Sequence, residues 1–144
     1  METLAGLWMP IVASAVLVFV ASSLIWNVLG AHKWHVKGLP DEPGAREALD
    51  KQRLAAESLG AWFAYLLCVS YVVAFVCGQT LSRGTPYMIV FRVAGAVALA
   101  AYSFGQIPNA IWWGRPWKSA LKEFGDGIVY ALLTAGCFGW LWPE

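Results

Sequence analysis

Four long apolar runs divide this chain: Trp8 to Leu29, Leu59 to Gly78, Tyr87 to Ala110 and Phe124 to Trp142. Each reaches the roughly 20 residues that a helix needs to cross about 30 Å of hydrocarbon. A soluble core in a chain of 144 residues has no use for four such runs. Only 13% of the residues are charged, against roughly 25% in ordinary soluble domains. The expected fold class is therefore all-α: a single integral membrane domain over 1–144, built as a bundle of four transmembrane helices. The helices are expected at about 8–29, 59–78, 87–110 and 124–142, with a cytoplasmic loop and short helix over 31–58. The stretch Met1 to Leu7 has no Lys or Arg, and the first run exceeds the usual signal core of about 7–15 residues. It reads as a retained helix rather than a cleaved leader.

Basic residues set the orientation. Lys33, Lys37, Arg46, Lys51 and Arg53 lie in the first connection, and Arg115, Lys118 and Lys122 in the third. The second connection has Arg83 alone, and the ends have none. Short basic loops stay cytoplasmic, so the first and third connections are expected inside and both termini outside. The formal net charge of +1 hides this asymmetry, because Asp41, Glu42, Glu47, Asp50 and Glu57 share the first connection. Acidic residues count for little in that rule.

Within the first connection, Gly38 to Gly44 is rich in turn formers. Ala45 to Glu57 then contains neither Gly nor Pro and is dominated by strong helix formers, with Glu47 and Lys51 in the favourable i,i+4 order. A cytoplasmic helix is expected there, continuous with the second crossing or bent at Gly60. Arg92 falls about 9 Å into the third crossing, counting from Pro86. It can snorkel to the outer surface or face inward as a functional charge. Small residues crowd that crossing. Ala94 with Ala98, and Ala101 with Gly105, have the four-residue spacing that lets backbones approach closely in lipid, with Gly95 between them. The third helix is thus either the most enclosed one or the seam of an oligomer.

Tryptophans collect where interfaces should be: Trp8, Trp140 and Trp142 at the outer level, and Trp34, Trp112, Trp113 and Trp117 at the inner. An indole suits that depth because its ring is apolar and its N–H needs a polar partner. Trp26 and Trp62 fit either the interface or the bundle. Ile25-Trp26-Asn27 precedes Ile107-Pro108-Asn109 by 82 positions, and a basic loop follows each. Two like-oriented helical hairpins would produce that echo, and so would coincidence.

Few polar groups are out of place. Asn27 and Asn109 lie near cytoplasmic helix ends, where an amide must find partners; they can glue helices together or touch a ligand. His32 and His35 share a helix face if that segment is helical, with Asp41 and Glu42 following. Two neighbouring histidines fall short of the three ligands usual for catalytic zinc, and they do not face each other across a bundle as haem ligands would. They read as surface groups, and neither metal nor cofactor is expected. No Lys lies inside a run, which excludes a retinal Schiff base. Cys68, Cys77 and Cys137 all sit in apolar runs without a CxxC pair and read as inert thiols. Asp126, in Gly125-Asp126-Gly127, is expected in the first turn of the fourth crossing. There the helix dipole favours an acid without further function, while a proton or cation role is the sharper alternative.

The segment Asn109-Ala110-Ile111-Trp112-Trp113-Gly114-Arg115-Pro116-Trp117-Lys118, with Gly139-Trp140-Leu141-Trp142 closing the next helix, resembles a bacterial membrane family. That family is catalogued as domain of unknown function 1761. The resemblance implies a four-helix bacterial inner-membrane protein and supplies no activity. The chain departs from the family's pattern where Gly125 is followed by Asp126, and where the first helix ends Trp26-Asn27-Val28-Leu29. Read physically, Gly114 and Pro116 turn the chain, Arg115 and Lys118 meet headgroups and Trp117 anchors the turn.

The sequence favours a non-enzymatic accessory, scaffold or assembly subunit. Its expected partners are the lipid bilayer and either copies of itself or a larger membrane complex, with no nucleic acid. A second reading is an oligomeric transporter of small solutes or ions, its path lined by Asn27, Arg92, Asn109 and Asp126. A third is an enzyme at the cytoplasmic interface using His32, His35 and Asp41.

Overall fold

The structure, a computed structural model, describes residues 4–27, 51–114 and 116–144. His32, His35 and Arg115 lie outside the described residues, as do Asp41, Glu42, Glu47 and the Asn27 side chain. A 3-10 turn over Leu4–Leu7 leads into α1 (Trp8–Asn27). It is followed by α2 (Lys51–Thr80), α3 (Tyr87–Tyr102), α4 (Gln106–Trp113) and α5 (Trp117–Trp140), and the described residues include no strand. Three segments are long and apolar enough to cross a membrane: Trp8–Ile25, Ser58–Thr80 and Tyr87–Trp112. The chain itself buries only 28% of each span, which leaves most of their apolar surface for lipid and supports a membrane protein.

Helix packing follows a ring. α3 lies most extensively against α5, α1 packs on both α2 and α5, and α2 also meets α3. The residues that fill the centre are mostly small or hydroxyl-bearing: Ser14, Ala15, Ser70, Ala94, Ala98, Thr134 and Ala135 are all fully buried. Bulky ones such as Leu24, Val72, Phe75, Met88 and Leu132 point outward. Lipid is as apolar as Leu, so a membrane helix gains little by turning Leu inward, whereas small side chains let helices come close. Ala94 and Ala98 are fully buried inside the chain, and at Gly95 between them a Cβ would lie 3.3 Å from the Ala135 Cβ of α5.

The expected boundaries shift in informative ways. α2 continues unbroken through Gly60, so its 30 residues join the basic connection to the second apolar run. The third run does not form one helix to Ala110, because α3 stops at Tyr102 and α4 starts at Gln106. Pro108 explains the break. In a continuous helix it would lack the bond to the Phe104 carbonyl and clash there; in the first turn of α4 its missing N–H costs nothing. Short turns bridge the gap, Gln106 N–H to the Ser103 carbonyl at 3.3 Å and Ile107 N–H to the Phe104 carbonyl at 3.2 Å. Gly105 therefore sits in the break with open space around it, and the Ala101–Gly105 pair is no helix-packing stripe. Gly114 ends α4 in the left-handed region at φ +63°, and Pro116 caps α5.

At the far end, the C-terminal residues latch onto the α2–α3 turn. The Trp142 indole donates to the Ser82 carbonyl at 3.0 Å, and Gly84 N–H donates to the Pro143 carbonyl at 3.0 Å. Trp142, expected in the interfacial belt, is instead buried at 8% exposure. Trp140 and Trp112, at 85% and 81% exposure, keep the outward placement that a belt requires.

α5 comes into close contact with the end of α3 at Gly127. A Cβ there would meet Ser103 Oγ and lie 2.9 Å from the Tyr102 carbonyl oxygen. One at Gly125, two residues away, would meet nothing within 4 Å. Gly127→Ala should therefore destabilise the protein by about 1–3 kcal/mol through overpacking. Gly125→Ala should be neutral or stabilising by up to about 1 kcal/mol from helix propensity. Thermal unfolding of the two variants in the same detergent checks the contrast.

Candidate functional site

The break between α3 and α4 opens a cavity of about 310 Å³ beside α5, at the low end of the roughly 300–1,000 Å³ typical of ligand pockets. Four aromatic residues line it: Trp62 and Tyr65 from α2, Tyr102 from the end of α3 and Tyr130 from α5. Three polar ones join them: Gln106 from the first turn of α4, and Glu123 and Asp126 from α5. Glu123, Asp126 and Tyr130 are spaced i, i+3, i+7, which places all three on one face of α5. Asp126 lies about 21 Å along its helix from Trp140, and Trp62 about 27 Å from Thr80. The site is thus well removed from the end that the C-terminal latch closes.

The four rings form a closed circuit. Trp62 stacks on Tyr65 with centroids 5.4 Å apart, Tyr65 meets Tyr102 edge-on at 6.2 Å, Tyr102 meets Tyr130 at 5.9 Å and Tyr130 returns to Trp62 at 6.3 Å. Hydrogen bonds hold individual members in place. The Trp62 indole donates to Ser22 Oγ on α1 at 3.0 Å, and that hydroxyl donates to the Phe19 carbonyl at 2.9 Å. The Tyr65 hydroxyl donates at 3.0 Å to the carbonyl of Ala101, one of the last four of α3 and so left open by the helix end. Ser103 Oγ reaches the Phe124 carbonyl at 3.2 Å and ties the break to α5.

Deeper in the bundle the polar line continues as hydroxyls. Ser14 Oγ donates to Ser70 Oγ at 2.9 Å, linking α1 to α2, and Thr134 Oγ1 donates to the Tyr130 carbonyl at 2.9 Å. The Tyr102 hydroxyl lies beside Ser70 and Thr134 and, among the described residues, meets no well-formed hydrogen-bond partner, although Tyr102 is only 7% exposed. A buried hydroxyl left unsatisfied costs about 1–3 kcal/mol.

Of the candidate positions within the described residues, only Asp126 lines this cavity. It stands in the third turn of α5 rather than the first, because the helix starts at Trp117 and not near Phe124. The helix-dipole account of this acid therefore does not apply to it. Arg92 is exposed and borders a separate apolar groove with Phe91, Gly95, Leu99 and Leu132 between α3 and α5. Asn109 is half-buried on α4. Gln106, Glu123 and the three tyrosines escaped sequence reasoning, and Trp62 was read only as fitting either the interface or the bundle. The shared-face spacing of Glu123, Asp126 and Tyr130, together with Pro108 as a helix breaker, was the available signal. Among the described residues, no group of three or more His, Cys, Asp or Glu is placed to hold a metal ion. No known protein family, curated protein or solved structure matches this chain.

The Ser22–Trp62 bond joins α1 to the aromatic circuit, so its loss should register in stability. Ser22→Ala leaves the indole N–H without this acceptor and should cost about 1–3 kcal/mol. Thr80→Ala, which removes an exposed hydroxyl bonded to the Val76 carbonyl, should stay within about 0.5 kcal/mol. Unfolding midpoints measured side by side in nanodiscs check both.

Proposed function

We propose that this chain is a small multi-pass membrane protein that binds, and carries, a small solute through a vestibule at the α3–α4 break. The observation that carries the reading is the convergence of Glu123, Asp126 and Gln106 with four aromatic side chains in one cavity. Acids within membrane helices are expensive and mark functional sites by default. A purely structural role would be served by a filled interior, whereas these side chains line open space. This moves the weight from the accessory-subunit reading towards the solute-transport one. Ala94 and Ala98, which a partner could have used, are already fully buried within the chain.

The reading includes a topology. α5 serves as the fourth crossing, with Gly127 to Trp140 as its apolar part and the charged turn before it within the cytoplasmic interface. The basic connections then lie inside, in keeping with the distribution of Lys and Arg. The vestibule opens to the cytoplasm, and the C-terminal latch lies outside. The bacterial inner membrane is the membrane that the resemblance of the Gly114–Lys118 segment implies. Binding and transport need no nucleophile, so the reading is non-enzymatic.

Site-directed labelling tests it. In a chain whose three native cysteines are replaced by alanine, Asp126→Cys should react with a membrane-impermeant maleimide added from the cytoplasmic side. It should stay unlabelled when the reagent is outside, and Thr134→Cys, fully buried, should stay unlabelled from both sides. Labelling of position 126 from neither side would remove the vestibule and the reading with it.

A further inference from the structure

We infer that the apolar groove below Arg92 is a binding site for one anionic phospholipid. Its phosphate sits on the Arg92 guanidinium and one acyl chain lies in the groove. The inference needs α3 and α5 to stand in the bilayer, but it does not need the vestibule. Arg92 lies about 15 Å along α3 from Tyr102, and the groove and the vestibule share no lining residue.

The groove, of about 210 Å³, runs between α3 and α5. Gly95 and Ala96 keep it open, and Leu99, Ile128 and Leu132 border it with branched apolar side chains. Among the described residues, Arg92 is the one charged group on its lining. The two helices run antiparallel, with Gly95 against Ala135 and Tyr102 against Gly127. That register sets Arg92 level with about Cys137, one helical turn or about 5 Å from Trp140. Trp140 is 85% exposed and marks the interfacial end of α5. Side chains on a helix lean towards its N-terminus, which for α3 is this same end. The guanidinium therefore stands at headgroup depth, at the mouth of the groove, and the apolar lining descends about 10 Å from Arg92 to Leu99.

Charge then selects the occupant. Arg92 is exposed and makes no hydrogen bond or ion pair with another described residue. The connection that carries Asp41, Glu42, Glu47 and Asp50 joins α2 at Lys51, about 44 Å along that helix from the Thr80 end that leads into α3. A guanidinium on a lipid-facing surface calls for an anion, and its planar fork matches a phosphate through two parallel N–H bonds. A zwitterionic lipid brings that phosphate with a cation attached, whereas an anionic one brings it without a competitor. A second copy of the chain fits less well, because a two-fold pair through this face would set Arg92 against Arg92. The neighbouring groove lined by Leu17, Leu133, Gly136 and Trp140 has no charged residue, so it offers every lipid the same apolar contact and no choice of headgroup.

The experiment is native mass spectrometry of the full chain in detergent, titrated with phosphatidylglycerol and with phosphatidylcholine of identical acyl chains. One phosphatidylglycerol should stay bound saturably, about tenfold tighter than phosphatidylcholine, the scale of one charge-assisted contact. Arg92→Gln should erase that preference, and Arg92→Lys, which keeps the charge but not the fork, should retain part of it. Ala96→Phe, filling the groove from an exposed position, should weaken phosphatidylglycerol although Arg92 remains. Both positions are exposed, so the variants should melt with the parent chain. Equal retention of the two lipids, or a preference that survives Arg92→Gln, overturns the inference. A lipid-free oligomer that Ala96→Phe dissociates overturns it in favour of a seam between copies.

Discussion

The contact between Gly127 and the end of α3 is the constraint on which the rest of the site depends. Only a residue without a side chain admits the Tyr102 carbonyl and the Ser103 hydroxyl at that distance. Because α5 can come this close, Ser103 reaches the Phe124 carbonyl and the break in α3 gains a fixed position. One turn to either side, Glu123 and Tyr130 flank the contact, with Asp126 beside it. The same approach therefore brings the carboxylates of α5 to Tyr102 and Gln106. A bulkier residue at position 127 would push α5 away and dissolve the cavity's wall along with its packing.

Pro108 supplies the complementary half. It ends the hydrogen-bond ladder of α3 at the depth where α5 carries its acids, and it does so without leaving raw backbone behind. The short turns at Gln106 and Ile107 satisfy part of the gap, and the Tyr65 hydroxyl takes the Ala101 carbonyl. A side chain of the aromatic circuit thus also closes a helix end. Non-helical backbone at membrane depth is tolerated where it borders a cavity and finds partners, and this break meets both conditions.

The membrane character of the fold was legible in the sequence because it needs only length and composition. Run length located the three apolar spans to within a few residues, whatever their packing. Which face of each helix turns inward was harder to see, since lipid and core are equally apolar and hydrophobic periodicity fades. The signal that survived was size: Ala94 and Ala98 are fully buried within the chain. The helix break was present in the sequence as Pro108, but the surrounding apolar run concealed it. That omission propagated to the site. A continuous third helix, and a fourth beginning near Phe124, put Asp126 at a helix start where the dipole would explain it. Tyr65, Tyr102 and Tyr130 belong to three helices, and their meeting depends on how those helices cross. No spacing within one segment encodes it.

Energetics favour a cavity over a sealed interior for these acids. An acid within a membrane helix is costly, and least so near the interfacial end, where the proposed topology puts Glu123 and Asp126. The chain keeps Glu123 and Asp126 one turn apart on the same face. A water-accessible vestibule lowers the cost of both acids. Stability and occupancy are linked: a ligand that binds the folded chain alone stabilises it in proportion to the logarithm of its concentration over its dissociation constant.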